Sequence, residues 1–345
     1  MVNFPKVSVV ILNAFKMDDL MECLDSLACT NYPDFEKIVV DCLTPDIEEI
    51  IGSKYPDVRL IALNEDIGPA AMHNVGIEAS DPSSRYIAFL DNDTVCDKNW
   101  LIELVKCIEV DDWIGAVQSK IMLHDKPLYL NTGGNKANYL AVGWPEGYGK
   151  SDVAYNAMSE ISFPSGAAMI MKKDLLKRVG MYDPDYFIYA DDLDAGLRIR
   201  LAGYKVLYCP TSVVYHKYKF LRTRRNFYFL NRNRIQTYLK LYERRTYYWL
   251  LPPLLAYEFS ILVYAMINGY YREYFKSYTY IIKNFGNIRQ KRTKIKEFKS
   301  VSDKDLIDQF AGAIDFSEVN QNPAVKYVLN PFLNYYKALC GRMIS

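Results

Sequence analysis

The sequence lacks any C-x-x-C spacing and has only three histidines. Its seven cysteines are odd in number and scattered through 345 residues, so neither a disulfide framework nor a zinc site is indicated. The beginning of the chain also lacks the charged region, long apolar stretch and cleavage site of a signal peptide. These absences predict a reducing, cytoplasmic setting for a protein that is not secreted.

Neither sign of charge is in excess. The chain carries 42 Lys and Arg against 41 Asp and Glu, so its overall charge shows no nucleic-acid-binding signature and we expect no nucleic-acid partner. The positive charges concentrate after residue 215. Hydrophobic residues make up 50% of the chain, enough for a sizeable core, which predicts one large domain with an appendage or two domains.

Short apolar runs alternate with helical patterns up to about residue 119. Because these runs are continuously apolar, they predict strands of a mostly parallel sheet covered by helices on both faces. The expected strands lie at residues 7–12, 38–40, 58–63, 86–90 and 114–117. The expected helices lie near residues 18–28, 46–54, 69–79 and 97–109.

The alternation stops between about residues 120 and 160, where Gly, Asn and Tyr are frequent. This composition predicts a long loop or lid. A second ordered block follows, with strands expected near 166–171, 204–208 and 212–216 and helices near 173–179 and 191–202. The sequence then becomes basic and aromatic, which predicts a division into residues 1–220 and a helical region of residues 221–345.

Two carboxylates follow the apolar run at 86–90. Asp91 and Asp93 stand where a buried strand ends, and ligands of open α/β sheets collect outside the carboxyl ends of the strands. Two hard oxygen donors at this spacing suit Mg²⁺ or Mn²⁺ carrying a diphosphate. Asp and Asn also form turns, and a plain turn is the alternative.

A second acidic cluster opens the helix expected near 191–202. Capping and the positive end of the helix dipole explain one acid there, but Asp191, Asp192 and Asp194 together exceed what a cap needs. His216 ends the strand expected near 212–216. It is either a structural histidine or a further metal ligand.

Seven segments in a fixed order carry a family resemblance. They are residues 7–13, 38–41 with Asp46, 64–77, 90–93, 165–169, 191–194 and 215–216. This order resembles the family 2 glycosyltransferases of GT-A fold, and it is most similar to their rhamnosyltransferase-like branch. The resemblance covers about residues 6–220.

The resemblance implies an α/β fold of the GT-A, Rossmann-like type, with a mostly parallel sheet flanked by helices and a C-terminal helical appendage. It implies a metal-dependent inverting glycosyltransferase with Mn²⁺ or Mg²⁺ as cofactor. The implied partners are a nucleotide-diphosphate sugar donor and a saccharide or polyprenyl-linked saccharide acceptor.

The same resemblance implies a role for each site residue. Asp192 corresponds to the catalytic base that deprotonates the acceptor hydroxyl. Asp91 and Asp93 correspond to ligands of the metal on the diphosphate, with His216 as a further ligand. The donor-binding residues would be Asn13, Asp41, Asn74 and Asp91.

Asp191 and Asp194 are expected to orient the acceptor or to cap the helix, and capping is favoured for Asp191. Asp191 stands where the family usually has Glu, and Cys42 stands where it often has Asn. These departures leave the base and the sugar of the donor unassigned.

Two rival functions are a sugar-phosphate nucleotidyltransferase and a non-catalytic nucleotide- or glycan-binding module. The first needs a Gly-rich, basic phosphate loop near the N-terminus, whereas the first strand leads into Leu-Asn-Ala-Phe-Lys at residues 12–16. The second would bind a donor without turnover.

An apolar stretch at 247–267 follows a basic, aromatic helix predicted at 222–245. Pro252, Pro253 and Glu258 interrupt it, and about 14 to 18 apolar residues remain, short of the roughly 20 of a spanning helix. With the basic run at 289–296, it favours an interfacial or re-entrant hairpin at the cytoplasmic face of an anionic membrane. A soluble helical appendage is the alternative.

Overall fold

The computed structural model describes residues 4–219, 222–316 and 322–343. The chain divides into two compact units. The first comprises Met1–Asn135, Pro145–Ile199 and Tyr204–Lys219, and the second comprises Lys136–Trp144, Arg200–Gly203 and Phe220–Ser345. The second unit therefore takes in two short segments that a single boundary at residue 220 would assign to the first.

A ten-stranded sheet forms the centre of the first unit. Its strands are β1 (Val7–Ala14), β2 (Phe35–Cys42), β3 (Val58–Leu63), β4 (Tyr86–Asp91), β5 (Thr94–Cys96), β6 (Ile114–Leu123), β7 (Lys126–Thr132), β10 (Ser159–Glu160), β11 (Ala168–Lys172) and β12 (Lys205–His216). Two short strands, β8 (Asn135–Ala137) and β9 (Gly143–Pro145), pair with each other.

The main path of the sheet runs β10-β12-β6-β11-β4-β1-β2-β3. Strands β3, β2, β1 and β4 are parallel neighbours, and β12 is parallel to β6. Strand β11 is antiparallel to both β4 and β6. Six strands therefore point one way, which confirms the mostly parallel GT-A-type sheet expected from the sequence and brings their carboxyl ends to one edge.

The helices of the first half are α1 (Met17–Ala28), α2 (Ile47–Lys54), α3 (Pro69–Ala79), α4 (Trp100–Ile108), α5 (Lys173–Arg178) and α6 (Asp191–Leu201). Side chains from the strands and from α1 and α4 form one buried hydrophobic core. Helix α3 approaches β1 so closely that a Cβ added to Gly76 would lie 2.3 Å from Cγ1 of Val10. Close packing on the sheet therefore explains a glycine inside this helix.

All five strands and four helices expected before residue 119 are present. The long loop expected at 120–160 is wrong in part, because β6 continues to Leu123 and turns into β7, and three short strands follow. Register shifts between β6 and β7 interrupt the regular alternation there. The two strands expected near 204–208 and 212–216 are one strand, β12, with a bulge between Cys209 and Val213. Pro210 lies within it and cannot donate a ladder hydrogen bond.

Beyond the sheet, the described residues form α7 (Arg224–Leu241), α8 (Arg244–Ile267), α9 (Tyr271–Lys283), α10 (Phe285–Phe298), α11 (Asp303–Gln309) and α12 (Asn330–Met343). This confirms a helical C-terminal region. By length and composition α8 could cross a membrane, with a mean hydropathy of 1.7 in its most apolar window. Core helices of soluble proteins can share that property.

The structure corrects the expectation that α7 offers its cations to a membrane. Arg232, Arg234 and Lys240 are buried. The Arg232 guanidinium stacks over the rings of Phe229 and Tyr280 at 4.7 and 4.5 Å, an arrangement that stabilises a cation away from water. Within α7 only the first turn exposes arginines, so the rest of this helix cannot contribute to a basic membrane surface.

Candidate active site

Three candidate cation ligands meet at the carboxyl edge of the sheet. Asp91 ends β4 and His216 ends β12. The antiparallel pairing of β5 with β12 sets His216 opposite Thr94, the residue that follows Asp93. The ligand atoms of Asp91, Asp93 and His216 lie within 4.8 Å of one another, so one ion can contact all three.

The imidazole of His216 is oriented by Asn131. Its Nδ1 lies 3.0 Å from Oδ1 of Asn131, which only accepts, so Nδ1 carries the proton and donates. Nε2 lies 3.1 Å from Oδ1 of Asp93 and 3.9 Å from Oδ2 of Asp91. A proton or a metal ion at Nε2 makes these contacts attractive. Two carboxylates and one imidazole form a donor set that fits Mn²⁺ or Mg²⁺.

Lys16 adds a second cation to this cluster. Its Nζ lies 2.8 Å from Oδ2 of Asp93, and its side chain is 51% exposed. Burial opposes ionisation of Asp93, but the hydrogen bonds from His216 and Lys16 outweigh it and hold the pKa of this carboxyl below its usual range. The site therefore keeps Asp93 ionised and places an ammonium group at its rim.

A buried polar network joins the ends of β1 and β2. Asn13 Nδ2 and the Thr44 hydroxyl both donate to Oδ1 of Asp41, over 2.6 and 2.7 Å. The Thr44 backbone N–H donates to Oδ2 of Asp41 over 3.0 Å, and the Asn92 amide donates to Oδ1 of Asn13. Asp41 is only 1% exposed, so its contact with a donor stays a prediction.

Two exposed apolar side chains flank this network. Phe15 is 63% and Leu43 is 43% exposed. Both have a left-handed backbone, with φ of 59° and 62°, which is uncommon for residues other than glycine. The Phe15 N–H donates to the Thr44 hydroxyl oxygen over 2.9 Å. The fold therefore holds an aromatic ring in solvent at the carboxyl edge of the sheet, where a ligand can stack on it.

Asp192 lies in the first turn of α6 and is held by two backbone donors. Its Oδ1 accepts from the N–H of Leu193 over 2.7 Å, and its Oδ2 accepts from the N–H of Gly166 over 3.4 Å. Tyr189 and Ala190, which precede α6, both have a left-handed backbone with φ of 68° and 58°. Such strain is commonly found at functional sites.

The electrostatic surroundings of Asp192 are those of a base. Desolvation, followed by the charge of Asp191, raises the pKa of Asp192 to about 7. The charge of Asp91 acts in the same direction, which places Asp192 within electrostatic reach of that candidate cation ligand. A carboxylate with this pKa is well matched to proton transfer near neutral pH.

Asp191 faces a histidine that the sequence did not single out. Nδ1 of His73 lies 3.7 Å from Oδ2 of Asp191, and both side chains are buried. The His73 ring stacks on Tyr182 with the ring centres 4.3 Å apart and meets the ring of Phe89 edge-on. Asp191 therefore sits against a rigid aromatic wall, with an imidazole beside its carboxylate.

Asp194 has protein partners on both oxygens. Its Oδ1 accepts from the Tyr186 hydroxyl over 3.0 Å, and its Oδ2 accepts from Nε of Arg198 over 2.9 Å. Asp194 is 2% exposed. These contacts fasten α6 to the preceding segment and leave the expectation that Asp194 orients an acceptor without structural support.

Asn74 joins two segments through the backbone of Tyr182. Its Nδ2 donates to the Tyr182 carbonyl over 2.8 Å, and its Oδ1 accepts from the Tyr182 N–H over 2.9 Å. These contacts position the wall beside Asp191. Donor binding by Asn74 stays a prediction, and its observed bonds are to protein.

Sequence reasoning missed the residues that orient the site. They are Lys16, Thr44, His73, Asn131 and the exposed Phe15 and Leu43. The one available signal was position, because Phe15, Lys16, Leu43 and Thr44 stand within four residues after the strands predicted at 7–12 and 38–40. Asn131 gave no such signal, since it lies in a region predicted to be a loop.

The fold is that of the GT-A proteins. The mannosyltransferase PcManGT from Pyrobaculum calidifontis, solved with GDP-Man and Mn²⁺, matches with a TM-score of 0.52 over 99% of this chain and 88% of its own, at 14% identity. At that identity the match establishes the fold alone.

The chain belongs to the family described as glycosyltransferase-like family 2, which it matches over residues 5–238. The O-antigen biosynthesis protein RfbC of Myxococcus xanthus is 28% identical over 231 residues, 62% of this chain and 17% of its own. The N-acetylglucosaminyl-diphospho-decaprenol L-rhamnosyltransferase of Mycobacterium tuberculosis (strain H37Rv) is 28% identical over 92 residues, 27% of this chain and 30% of its own. The chain thus spans under a third of either relative. The family expected from the sequence is confirmed, and a rhamnosyltransferase is among the proteins that the chain resembles.

Proposed function

We propose that this protein is a metal-dependent, inverting glycosyltransferase that moves a hexosyl group from a nucleoside-diphosphate donor to an acceptor hydroxyl. The observation that carries the proposal is that a candidate metal site and a candidate base lie at the same edge of the sheet. One is a ligand set for a divalent cation, with its atoms within 4.8 Å. The other is Asp192, whose pKa is raised to about 7.

Asp192 supplies the base. As the acceptor oxygen forms its bond to the anomeric carbon, Asp192 accepts the hydroxyl proton and the bond to the diphosphate breaks on the opposite face. Such a single displacement inverts the configuration of the sugar. The bonds from Gly166 and Leu193 fix the carboxylate, so it needs no reorientation when the proton moves.

The leaving group is a nucleoside diphosphate, whose negative charge must be neutralised. Asp91, Asp93 and His216 would hold Mn²⁺ or Mg²⁺ there, and the bound ion would supply Lewis-acid stabilisation of that charge. Lys16 stands at the rim of this cluster and can pair with a phosphate oxygen. The nucleoside would then extend toward Asn13, Asp41 and the exposed ring of Phe15.

The acceptor is a saccharide, and we infer one carried on a polyprenyl lipid at the cytoplasmic face of a membrane. The name of the mycobacterial relative, which includes a diphospho-decaprenol acceptor, supports this inference. The apolar C-terminal helix α8 supports it independently.

A panel of UDP-, GDP- and dTDP-sugars, titrated into the protein by calorimetry with and without Mn²⁺, tests the donor site. We expect metal-dependent binding of one nucleotide and about tenfold weaker binding in Phe15→Ala, the usual scale of a lost stacking contact. Leu128→Ala is the matched control, since Leu128 is 73% exposed in β7. If no member of the panel binds in the presence of metal, the proposed donor site is refuted.

The pH dependence of transfer identifies the base. Because Asp192 must be ionised, kcat/KM is expected to rise with pH through a midpoint near 7 and to fall below it. Asp191→Asn removes a like charge, so the midpoint should move to lower pH by about one unit. Asp112→Asn, at a position whose side chain is 96% exposed, should leave it in place. A midpoint that is the same in all three proteins would contradict this assignment.

A further inference from the structure

We propose that α8 and α9 form an in-plane membrane anchor, which lies along an anionic lipid surface with one face of each helix in the interface. Helix α8 exposes one continuous apolar stripe. The stripe consists of Tyr248, Leu251, Leu255, Phe259, Val263 and Met266, exposed by 40 to 68%. Steps of three and four residues place these side chains on a single face. The inner face, with Thr246, Leu250, Pro253 and Tyr257, is buried.

The neighbouring helix α9 also exposes apolar side chains. Tyr271, Phe275 and Ile282 of α9 are 42, 56 and 75% exposed. Arg272, Lys276 and Lys283 are exposed beside them. Long basic side chains next to apolar ones can bury their stems and keep their charge at lipid headgroups. Exposed basic residues next to exposed apolar residues are typical of helices that lie in a membrane interface.

The charges favour an anionic bilayer over a second protein surface as the occupant. Between Arg245 and Arg272 the sequence contains a single charged residue, Glu258. The Glu258 carboxylate accepts from Arg234 of α7 and from the Tyr278 hydroxyl of α9, so it presents little negative charge. The rim of the apolar stripe is therefore cationic at both ends.

The contacts of Glu258 also indicate that α8 lies on a membrane and does not cross it. Glu258 sits near the middle of a helix about 36 Å long, and Arg234 binds it from α7. Helix α7 buries Asn231, Asn233 and Lys240, which would be costly to carry into hydrocarbon. Tyr247 further fastens α8 to α7 by donating to the Leu239 carbonyl over 2.7 Å. Held to this polar layer, α8 can submerge only its outer face.

Co-sedimentation of the full-length protein with lipid vesicles tests the anchor without donor or acceptor, so its result is independent of the proposed transfer reaction. We expect binding to vesicles of equal parts phosphatidylcholine and phosphatidylglycerol, and much weaker binding to phosphatidylcholine alone. Leu255→Ser with Phe259→Ser should weaken binding about a hundredfold. Arg272→Glu with Lys276→Glu should weaken it at least thirtyfold.

The matched control is Leu128→Ser with Val153→Ser, two side chains 73 and 76% exposed in the first unit. This control should bind vesicles as the unmodified protein does. The proposal is overturned if the unmodified protein stays in the supernatant, or if the Leu255 and Phe259 variant sediments as well as the control. It is also overturned if the face proves to be a dimer contact, seen as a lipid-free dimer that the same variant dissociates.

Labelling at the two ends of α8 distinguishes lying from crossing. In a protein that also carries Cys29→Ser, because the native Cys29 is exposed, Arg245→Cys and Asn268→Cys should both react with a membrane-impermeant maleimide added outside sealed vesicles. Protection of one end with reaction of the other would mean that α8 crosses the bilayer, and would overturn the in-plane anchor.

Discussion

Asp192→Asn is expected to abolish most transfer, lowering kcat by about a thousandfold, while the affinity for the nucleotide sugar changes little. The reason is that the amide cannot accept the acceptor proton, and general-base catalysis contributes roughly 10²- to 10⁴-fold. The change is isosteric. The ionised Asp192 carboxylate is desolvated and repelled by Asp191, so the variant should melt no lower than the unmodified protein above pH 7.

Single-turnover assays and donor calorimetry on the same preparation separate the two effects. Asp97→Asn, an exposed acid far along the chain from α6, is the control for a general effect of removing a carboxylate. An Asp192→Asn protein with unchanged turnover would refute the assigned base. An unmodified protein that binds donor but shows no turnover would instead support a binding module.

Asp91→Asn with Asp93→Asn should reduce metal-dependent donor binding at least a hundredfold and remove measurable transfer. Neutral amides are poor ligands for a hard divalent cation, and the diphosphate would lose the charge that offsets its own. Chelation of metal from the unmodified protein should produce the same loss, and added Mn²⁺ should restore activity only in the protein that retains both acids.

The control for this pair is Asp112→Asn with Asp125→Asn, whose side chains are 96 and 81% exposed. Thermal melting with increasing Mn²⁺ gives a second measurement, because an ion that binds only the folded state raises the melting temperature. If the unmodified protein keeps its full transfer rate in chelator, or if the Asp91 and Asp93 variant transfers sugar as fast as the control with Mn²⁺ present, the metal-dependent reaction is wrong.

The carboxyl edge of the sheet was predictable because two local rules agree there. Continuous apolar runs identify buried parallel strands, and polar residues directly after them fall at the shared edge. Asp91 and Asp93 follow such a run, and His216 ends another. Their proximity also depends on the pairing of β5 with β12, which the sequence did not reveal.

The side chains that contact the candidate site residues were not predictable because only tertiary structure brings these polar groups together. Asn131 contacts His216, which lies 85 positions further along the sequence. Asn131 belongs to β7, a strand whose irregular pairing with β6 gives no regular sequence pattern. His73 meets Asp191 because α3 packs against the segment before α6, where Asn74 bonds the Tyr182 backbone. Neither contact has a spacing signature.

In the C-terminal region, the sequence predicted the type of residue but not its exposure to solvent. Composition identified its basic and aromatic character but could not tell which cations face solvent. Arg232 and Arg234 of α7 are buried by aromatic rings and by Glu258, whereas Arg272 and Lys276 of α9 are exposed. Burial of a cation depends on partners from other helices, so a hydrophobicity pattern within one helix cannot reveal it.

The cation ligands have a consequence for synthesis of the protein on the ribosome. Asp91 and Asp93 are made early, but the third ligand, His216, is the last residue of β12. That strand is also the only partner of β5 among the described residues of the sheet. A nascent chain therefore cannot bring the three candidate ligands together until β12 has emerged and been inserted beside β6, and shorter fragments should be unable to form the proposed donor site while translation continues.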